Sequence, residues 1–248
     1  MDANVALVPG GSGQLGRVLT RALLEAGWRV AVPLYKTDPP ELTADLQQRF
    51  GPERLRTFGF DLTKERGAEG AVRETLEWAG RLDAVVHLVG GYRAGRLTET
   101  PVELWDAMLD LNLKSAYLVA RFALPHLPRP GGRLVFISSV AALTPGQRHP
   151  HAAYAVAKAA LRTLADIVRE DPQADGLRVV VLAPDTIDTE ANRLAMPEAD
   201  PSRWLDPDDI ARLVLCLLGP DGAVVDGAVL PLRRPTAPAA GQTGMNLA

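Results

Sequence analysis

Short apolar segments taking turns with stretches of helical period predict an α/β fold: a doubly wound, seven-stranded, mostly parallel sheet with helices on both faces. Three observations carry this. Apolar runs at residues 4–8, 29–34, 84–89, 133–137, 178–183 and 228–232 are bounded by Gly, Asp or Pro. They are continuous rather than alternating, the mark of strands covered on both faces. Helical patterns at 14–26, 40–50, 64–79, 102–127, 152–170 and 207–218 fill the gaps between them. Connections of that length return the chain to a parallel neighbour by right-handed crossovers.

In order, strand 4–8 leads through a glycine-rich turn into helix 14–26. Strand 29–34, helix 40–50 and a weaker strand at 55–60 follow, the last completing the seven. Helix 64–79 precedes strand 84–89, and the long, apolar-rich helix 102–127 precedes strand 133–137. Helix 152–170 then leads to strand 178–183, and helix 207–218 to strand 228–232. No fixed-period repeat or Pro/Gly-rich linker interrupts the series, so residues 1–232 are expected to form one domain. Residues 233–248 lose the apolar pattern and read as a tail.

Hydrophobic residues make up 47% of the chain and charged residues 23%, the balance of a folded globular domain. A formal net charge of −3, with no block of five or more like charges, offers no field to a phosphate backbone, so nucleic acid is not an expected partner. No apolar stretch approaches the ~18 residues of a membrane span, and no basic leader precedes the first strand, so a cytoplasmic protein without a membrane partner is expected. Cys216 is the single cysteine. It excludes an internal disulfide and, within the apolar run 210–218, is expected to be a buried thiol.

Two motifs carry chemistry. The first is the turn after the first strand, where Gly10, Ser12, Gly13, Gln14, Leu15 and Gly16 run straight into a helix. Glycine there lets backbone amides approach a pyrophosphate, and the start of a helix favours negative charge. The glycine spacing suits a dinucleotide, although a tight turn alone also uses glycine. The second motif places Tyr154 and Lys158 four residues apart on a helical pattern, hence on one face. An ammonium beside a phenol stabilises the phenolate and is expected to lower the phenol's pKa, enabling Tyr154 to give or take a proton. A purely structural Tyr-x-x-x-Lys on an amphipathic helix is the competing reading.

Taken together and in this order, these motifs resemble those of the short-chain dehydrogenase/reductase family, from Val5 to Leu232. The resemblance implies a Rossmann fold and an NAD(P)(H)-dependent oxidoreductase that reduces a small carbonyl substrate, or oxidises the alcohol, by hydride transfer. It implies that Ser139, at the end of the run 134–137, hydrogen-bonds the substrate oxygen, with Ser138 facing the packing beneath. It implies that Asn112 links Lys158 to solvent, and that Asp61 and Leu62 grip the adenine. Val89, Gly90 and Gly91 would pass over the cofactor, while Pro184, Ile187 and Thr189 would meet the nicotinamide. Pro9 and Gln14 depart from the glycine motif, His87-Leu88-Val89 from the family's Asn-Asn-Ala, and Asp185 from its usual Gly. Asp61 as a simple cap, Asn112 as an interhelical bond and His87 as a structural strand residue stay open as readings.

The end of the second strand, Pro33-Leu34-Tyr35-Lys36, carries no acid to hydrogen-bond a ribose. With Lys36 and Arg17 available to a 2′-phosphate, NADP(H) is expected over NAD(H). Asp38 lies close enough to alter that local charge. The segment from Thr186 to Trp204 also resembles the corresponding part of dihydropteridine reductases, so pterin reduction stays open beside carbonyl reduction. A non-catalytic dinucleotide sensor is a third possibility. By analogy with the family, a homodimer or homotetramer is expected, and no metal.

Overall fold

The computed structural model describes residues 3–35, 38 and 41–234. Strands β1 (Val5–Leu7), β2 (Arg29–Leu34), β3 (Leu55–Gly59), β4 (Ala84–His87), β5 (Arg133–Ile137), β6 (Arg178–Pro184) and β7 (Val229–Leu232) form one sheet in the order β3-β2-β1-β4-β5-β6-β7. Every neighbouring pair is parallel, so the expected mostly parallel sheet is wholly parallel among the described residues. The order reverses direction between β1 and β4, and a cleft therefore opens above their carboxyl ends, the place where such sheets bind ligands.

The helices α1 (Gln14–Glu25), α2 (Glu41–Phe50), α3 (Glu65–Ala79), α4 (Val102–Leu109), α5 (Ser115–Ala123), α6 (Val140–Leu143), α7 (Ala152–Glu170), α8 (Glu190–Ala195) and α9 (Pro207–Leu218) connect the strands. Successive strand residues point to opposite sides, which yields two cores. Leu7, Val85, Phe136 and Val181 pack against α3, α5 and α7 on one face. Ala6, Val30, Val135 and Leu182 pack against α1 and α9 on the other. Among the described residues no helix is long and apolar enough to cross a membrane.

The expected long helix 102–127 is divided. A π turn at Asp110–Lys114 separates α4 from α5, and a short 3-10 turn at Leu124–His126 follows. Side chains explain the widened turn. Asn112 Nδ2 donates to the Met108 carbonyl at 3.0 Å, and Ser115 Oγ donates to the Leu111 carbonyl at 2.6 Å. Both compete for carbonyls four residues back that helical amides would otherwise take.

Cys216 also differs from its expectation and is exposed. Helix α9 buries Ile210, Ala211, Val214, Leu217 and Leu218, and residue 216 falls outside that stripe. An apolar neighbourhood in sequence is not an inward-facing position on a helix.

Candidate active site

The glycine turn is built by contacts that exclude side chains. Gly10 has φ +80°, and a Cβ there would lie 2.8 Å from the backbone of Leu88 and Val89. At Gly16 a Cβ would lie 2.0 Å from the Gly10 carbonyl oxygen. The turn is thus pressed against the end of β4, and α1 is pressed against the turn. Gln14 and Leu15 open α1, and its cap residue, Gly13, provides no side-chain hydrogen bond. The first amides of α1 are therefore available to an anion, which is the fit a pyrophosphate needs.

A cavity of about 520 Å³ opens beside this turn, lined among others by Ser12, Gly13, Asp38, Asp61, Leu62 and Val89, and by Gly90. Asp61 Oδ1 accepts from the Thr63 amide at 3.0 Å and the Thr63 hydroxyl at 2.7 Å, so it orders a turn while facing the cavity. Gly91 is held from below by Asn112, which donates to its carbonyl at 3.0 Å and accepts from its amide at 3.1 Å. A Cβ on Gly90 would lie 2.7 Å from Asn112 Oδ1 and 2.9 Å from Lys158 Nζ. One bare backbone position thus brings the β4 loop, Asn112 and Lys158 together.

Helix α7 supplies the other wall. Its alanine-rich sequence favours helix, and Ala153, Ala157, Leu161, Ala165 and Val168 form its buried stripe. Spacings of four, four, four and three keep that stripe on one face. Tyr154 and Lys158 stand one position further round. Lys158 is 5% exposed, and its ammonium donates to the Ile137 carbonyl at 2.8 Å. Burial lowers its pKa to about 8.

The two serines after β5 separate as alternation requires. Ser138 Oγ donates to the Lys158 carbonyl at 2.7 Å, tying β5 to α7. Ser139 Oγ accepts from the Ala141 amide at 3.3 Å and so caps α6. Its hydroxyl also stands close enough to the Tyr154 phenol to lower that phenol's pKa.

The electrostatics of Tyr154 depart from expectation. Burial raises its pKa, the Ser139 hydrogen bond opposes the rise, and the Tyr92 phenol adds to it. The expected lowering by the Lys158 ammonium is not among these causes. The phenol is thereby kept protonated at neutral pH, the state of a proton donor.

The segment after β6 lies on another side of the turn. Thr189 Oγ1 caps α8 by accepting from Asn192 N at 3.3 Å, and Gln14 Oε1 accepts from the Ala191 amide at 3.2 Å. Thr189 lines a second cavity with Ser12, Gly13 and Gln14. Ile187 pairs with Leu205, while Pro184 ends β6. Thr189 therefore lies near the glycine turn, and none of the three residues lines the cavity that holds Asp61 and Gly90. Arg17 likewise faces the second cavity, where its guanidinium pairs with Asp45 at 3.2 Å. Arg17, expected near a ribose phosphate, carries here an exposed ion pair with Asp45. Lys36 lies outside the described residues.

Two side chains, Tyr92 and His151, escaped the sequence reading, and Asp38, noted there for its charge, gains defined partners. Asp38 Oδ2 accepts from Ser12 Oγ at 2.9 Å and from the Tyr35 amide at 3.0 Å. Tyr92 lies edge-on to Tyr154 with ring centroids 5.2 Å apart, and its hydroxyl meets His151 Nδ1 at 3.2 Å. His151 is three residues before Tyr154, one helical turn away, and that spacing was the available signal. His87 is the buried strand residue that sequence left open. Burial and the charge of Lys158 lower its pKa to about 3, so the imidazole is neutral.

Comparison with known proteins fits this geometry. The chain is 30% identical to the rhamnolipids biosynthesis 3-oxoacyl-[acyl-carrier-protein] reductase of Pseudomonas aeruginosa, over 94% of this chain and 95% of the relative. It is also 30% identical to 2-(R)-hydroxypropyl-CoM dehydrogenase of Xanthobacter autotrophicus, over 92% and 96%. The solved structure of a blue fluorescent protein from a metagenomic library, in complex with NADPH, superposes with a TM-score of 0.82 at 27% identity, over 93% of this chain and 96% of the other. The family model for short chain dehydrogenases matches residues 4–199. With the glycine turn, the parallel sheet and the Tyr-x-x-x-Lys helix already in place, that match establishes that the chain belongs to the short-chain dehydrogenase family.

Proposed function

We propose that Tyr154 is the proton donor in the reduction of a small carbonyl compound, and the base in the reverse oxidation. The chain is an NAD(P)-dependent oxidoreductase by family. The observation that carries the assignment of roles is the convergence of Tyr154, Ser139 and Lys158 at the carboxyl end of β5, beside the glycine turn's cleft. The proposed holders of the cofactor are Gly10, Ser12, Gly13, Gln14, Leu15 and Gly16 for the pyrophosphate, Asp61 and Leu62 for the adenine, and Val89, Gly90, Gly91, Pro184, Ile187 and Thr189 towards the nicotinamide. When bound, a reduced nicotinamide supplies the hydride.

The chain's own residues do the rest. Ser139 Oγ donates a hydrogen bond to the substrate oxygen and fixes its direction. Tyr154, kept protonated by burial, gives its proton to that oxygen as negative charge builds there. Lys158, with a pKa of about 8, can exchange a proton near neutral pH and restore the phenol. Asn112 keeps the Gly90–Gly91 backbone over the lysine. Its Oδ1 has a second lone pair, through which a path from the lysine to solvent is proposed to run.

The Pseudomonas relative is by name a reductase of a 3-oxoacyl group, and 3-oxoacyl thioesters belong in a substrate panel with ketones, aldehydes and quinonoid pterins. Cofactor oxidation over that panel tests the reading. Tyr154→Phe is expected to lower turnover by roughly 10²–10⁴-fold while leaving cofactor binding nearly intact. Undiminished turnover would remove Tyr154 from the chemistry. Binding without turnover of any substrate would favour a sensor, and pterin-selective turnover would favour pterin reduction.

We also propose a cytoplasmic homodimer or homotetramer. The support is the large apolar side chains left exposed on α5 and α7, Tyr117, Val156 and Ile167, which pairing would cover. A monomer by light scattering would remove this proposal.

A further inference from the structure

Three aromatic rings meet beside the proposed proton donor, and the chemistry described so far uses only one of them. Tyr92 lies edge-on to Tyr154 with centroids 5.2 Å apart, His151 lies 6.2 Å from Tyr154, and Tyr92 and His151 are 5.6 Å apart. Two segments bring them together. His151 stands one helical turn before Tyr154, and the loop after β4 is fastened next to it by backbone bonds. The Gly95 amide donates to the Pro150 carbonyl at 2.9 Å, and the Ala152 amide donates to the Gly95 carbonyl at 2.9 Å. Gly95 and His151 thus form a parallel bridge, which holds Tyr92, three residues earlier, against the first turn of α7.

The proton positions in this cluster follow from burial. His151 is the cap residue of α7, yet its side chain makes no capping hydrogen bond. Among the described residues its ring has one hydrogen-bond partner, the Tyr92 hydroxyl, 3.2 Å from Nδ1. Nε2 is buried and has no partner. A neutral imidazole carries one proton. On Nε2 that proton would be a stranded buried donor, a costlier and rarer fault than a lone pair without a donor. The proton therefore sits on Nδ1 and is donated to Tyr92 Oη. The hydrogen of the Tyr92 hydroxyl is then free of His151, and Tyr92 is 50% exposed. Its phenol is also within electrostatic reach of the Tyr154 phenol.

We propose that Tyr92 is a specificity-determining residue: it accepts from His151 and donates to a second acceptor oxygen on the substrate, so that carbonyl compounds carrying such an oxygen are favoured over plain ketones. The proposal rests on the reading of Tyr154 as the proton donor in carbonyl reduction. With Tyr154 and Ser139 both assigned to the reacting oxygen, a third donor alongside them calls for a different acceptor. Keto esters present one, whereas a plain ketone leaves the Tyr92 hydroxyl to water. Because Tyr92 is half exposed, water competes for it, and the preference it confers is modest.

Two measurements test this. The first needs no substrate. Long-range proton–nitrogen correlation spectra at about pH 8.5, above the ordinary imidazole range, show which ring nitrogen carries the proton, and the His151 signals are identified by their loss in His151→Phe. A protonated Nδ1 and an unprotonated Nε2 are expected, and the opposite tautomer would overturn the proposal. The second compares kcat/KM for ethyl pyruvate, ethyl acetoacetate and methyl pentyl ketone in the unsubstituted protein and in Tyr92→Phe. Loss of the hydroxyl is expected to lower kcat/KM for at least one keto ester by about 3–10-fold, with the plain ketone changed by less than about twofold. Equal losses on all three substrates would make Tyr92 a support for Tyr154 alone, and unchanged keto ester kinetics would deny the contact. Either result would overturn the proposal while carbonyl reduction stands. Reduction of none of the three would overturn the carbonyl reading of the site, and the proposal with it.

Discussion

The two faces of the sheet have the same architecture and opposite manners. On the side of α1 and α9, the packing against β1, β2, β5 and β6 is aliphatic, and Leu19, Leu23, Leu24, Val214 and Leu217 fill it. On the side of α3, α5 and α7 the middle is equally apolar, but the end nearest the cleft buries His87, Asn112, Ser138 and Lys158. Burying such groups costs stability unless each finds a partner. The second face gives up packing where chemistry is needed, while the first stabilises the whole.

Substitutions on the two faces should therefore separate stability from activity. Lys158→Met is expected to have the largest effect, lowering turnover by about 10²–10⁴-fold without destabilising the protein below pH 8. The sign follows from the lysine's pKa, lowered to about 8 in the folded chain. Between about 8 and the ordinary value near 10.5, the unfolded chain binds the extra proton, so stability rises with pH across that window. Below it the buried ammonium is a cost that methionine removes. Denaturant unfolding at pH 7 and pH 9, alongside turnover, checks both halves, and a variant that both loses activity and unfolds easily would blur the distinction.

Leu23→Ala on the aliphatic face should do the reverse. It is fully buried, and its truncation is expected to cost about 2–5 kcal/mol, with KM and turnover per folded molecule little changed. Altered kinetics in the folded fraction would mean that the two faces are coupled.

The smallest effect is expected from His87→Leu and is visible only in acid. The folded imidazole, with a pKa of about 3, stays neutral while the unfolded one takes up a proton below about 6.5. Stability should thus fall as pH drops from about 6.5 towards 3, by at most about 1.4 kcal/mol per unit from this group. In the variant that portion of the slope should vanish, and an unchanged slope would show that other groups set the acid limit.

The fold was legible because continuous apolar runs and helical periods leave few alternatives, and all seven strands lie where the runs do. Tyr154 and Lys158 were legible through their spacing, and the division between Ser138 and Ser139 through strand alternation. What stayed hidden was tertiary. The break at Asn112 depends on a side chain taking a carbonyl of its own helix, which apolar periodicity does not register. The shift of Tyr154 depends on how deeply the phenol is buried and on Ser139 and Tyr92 beside it, and a spacing of four conveys none of these. The contacts of Asp38 with Ser12 and of Asp45 with Arg17 join separate elements, which local spacing does not announce. Cys216 looked buried because its neighbours are, although helical phase turns it outward.

The most direct measurement is a crystal structure of the protein with NAD(P)H and a carbonyl substrate analogue bound. The nicotinamide ring is expected on the Tyr154 side of the cleft, with the analogue's oxygen hydrogen-bonded to both Tyr154 and Ser139 and Lys158 beneath. A ring bound away from Tyr154, or a phenol still shielded from it by Tyr92 and His151, would contradict the assignment.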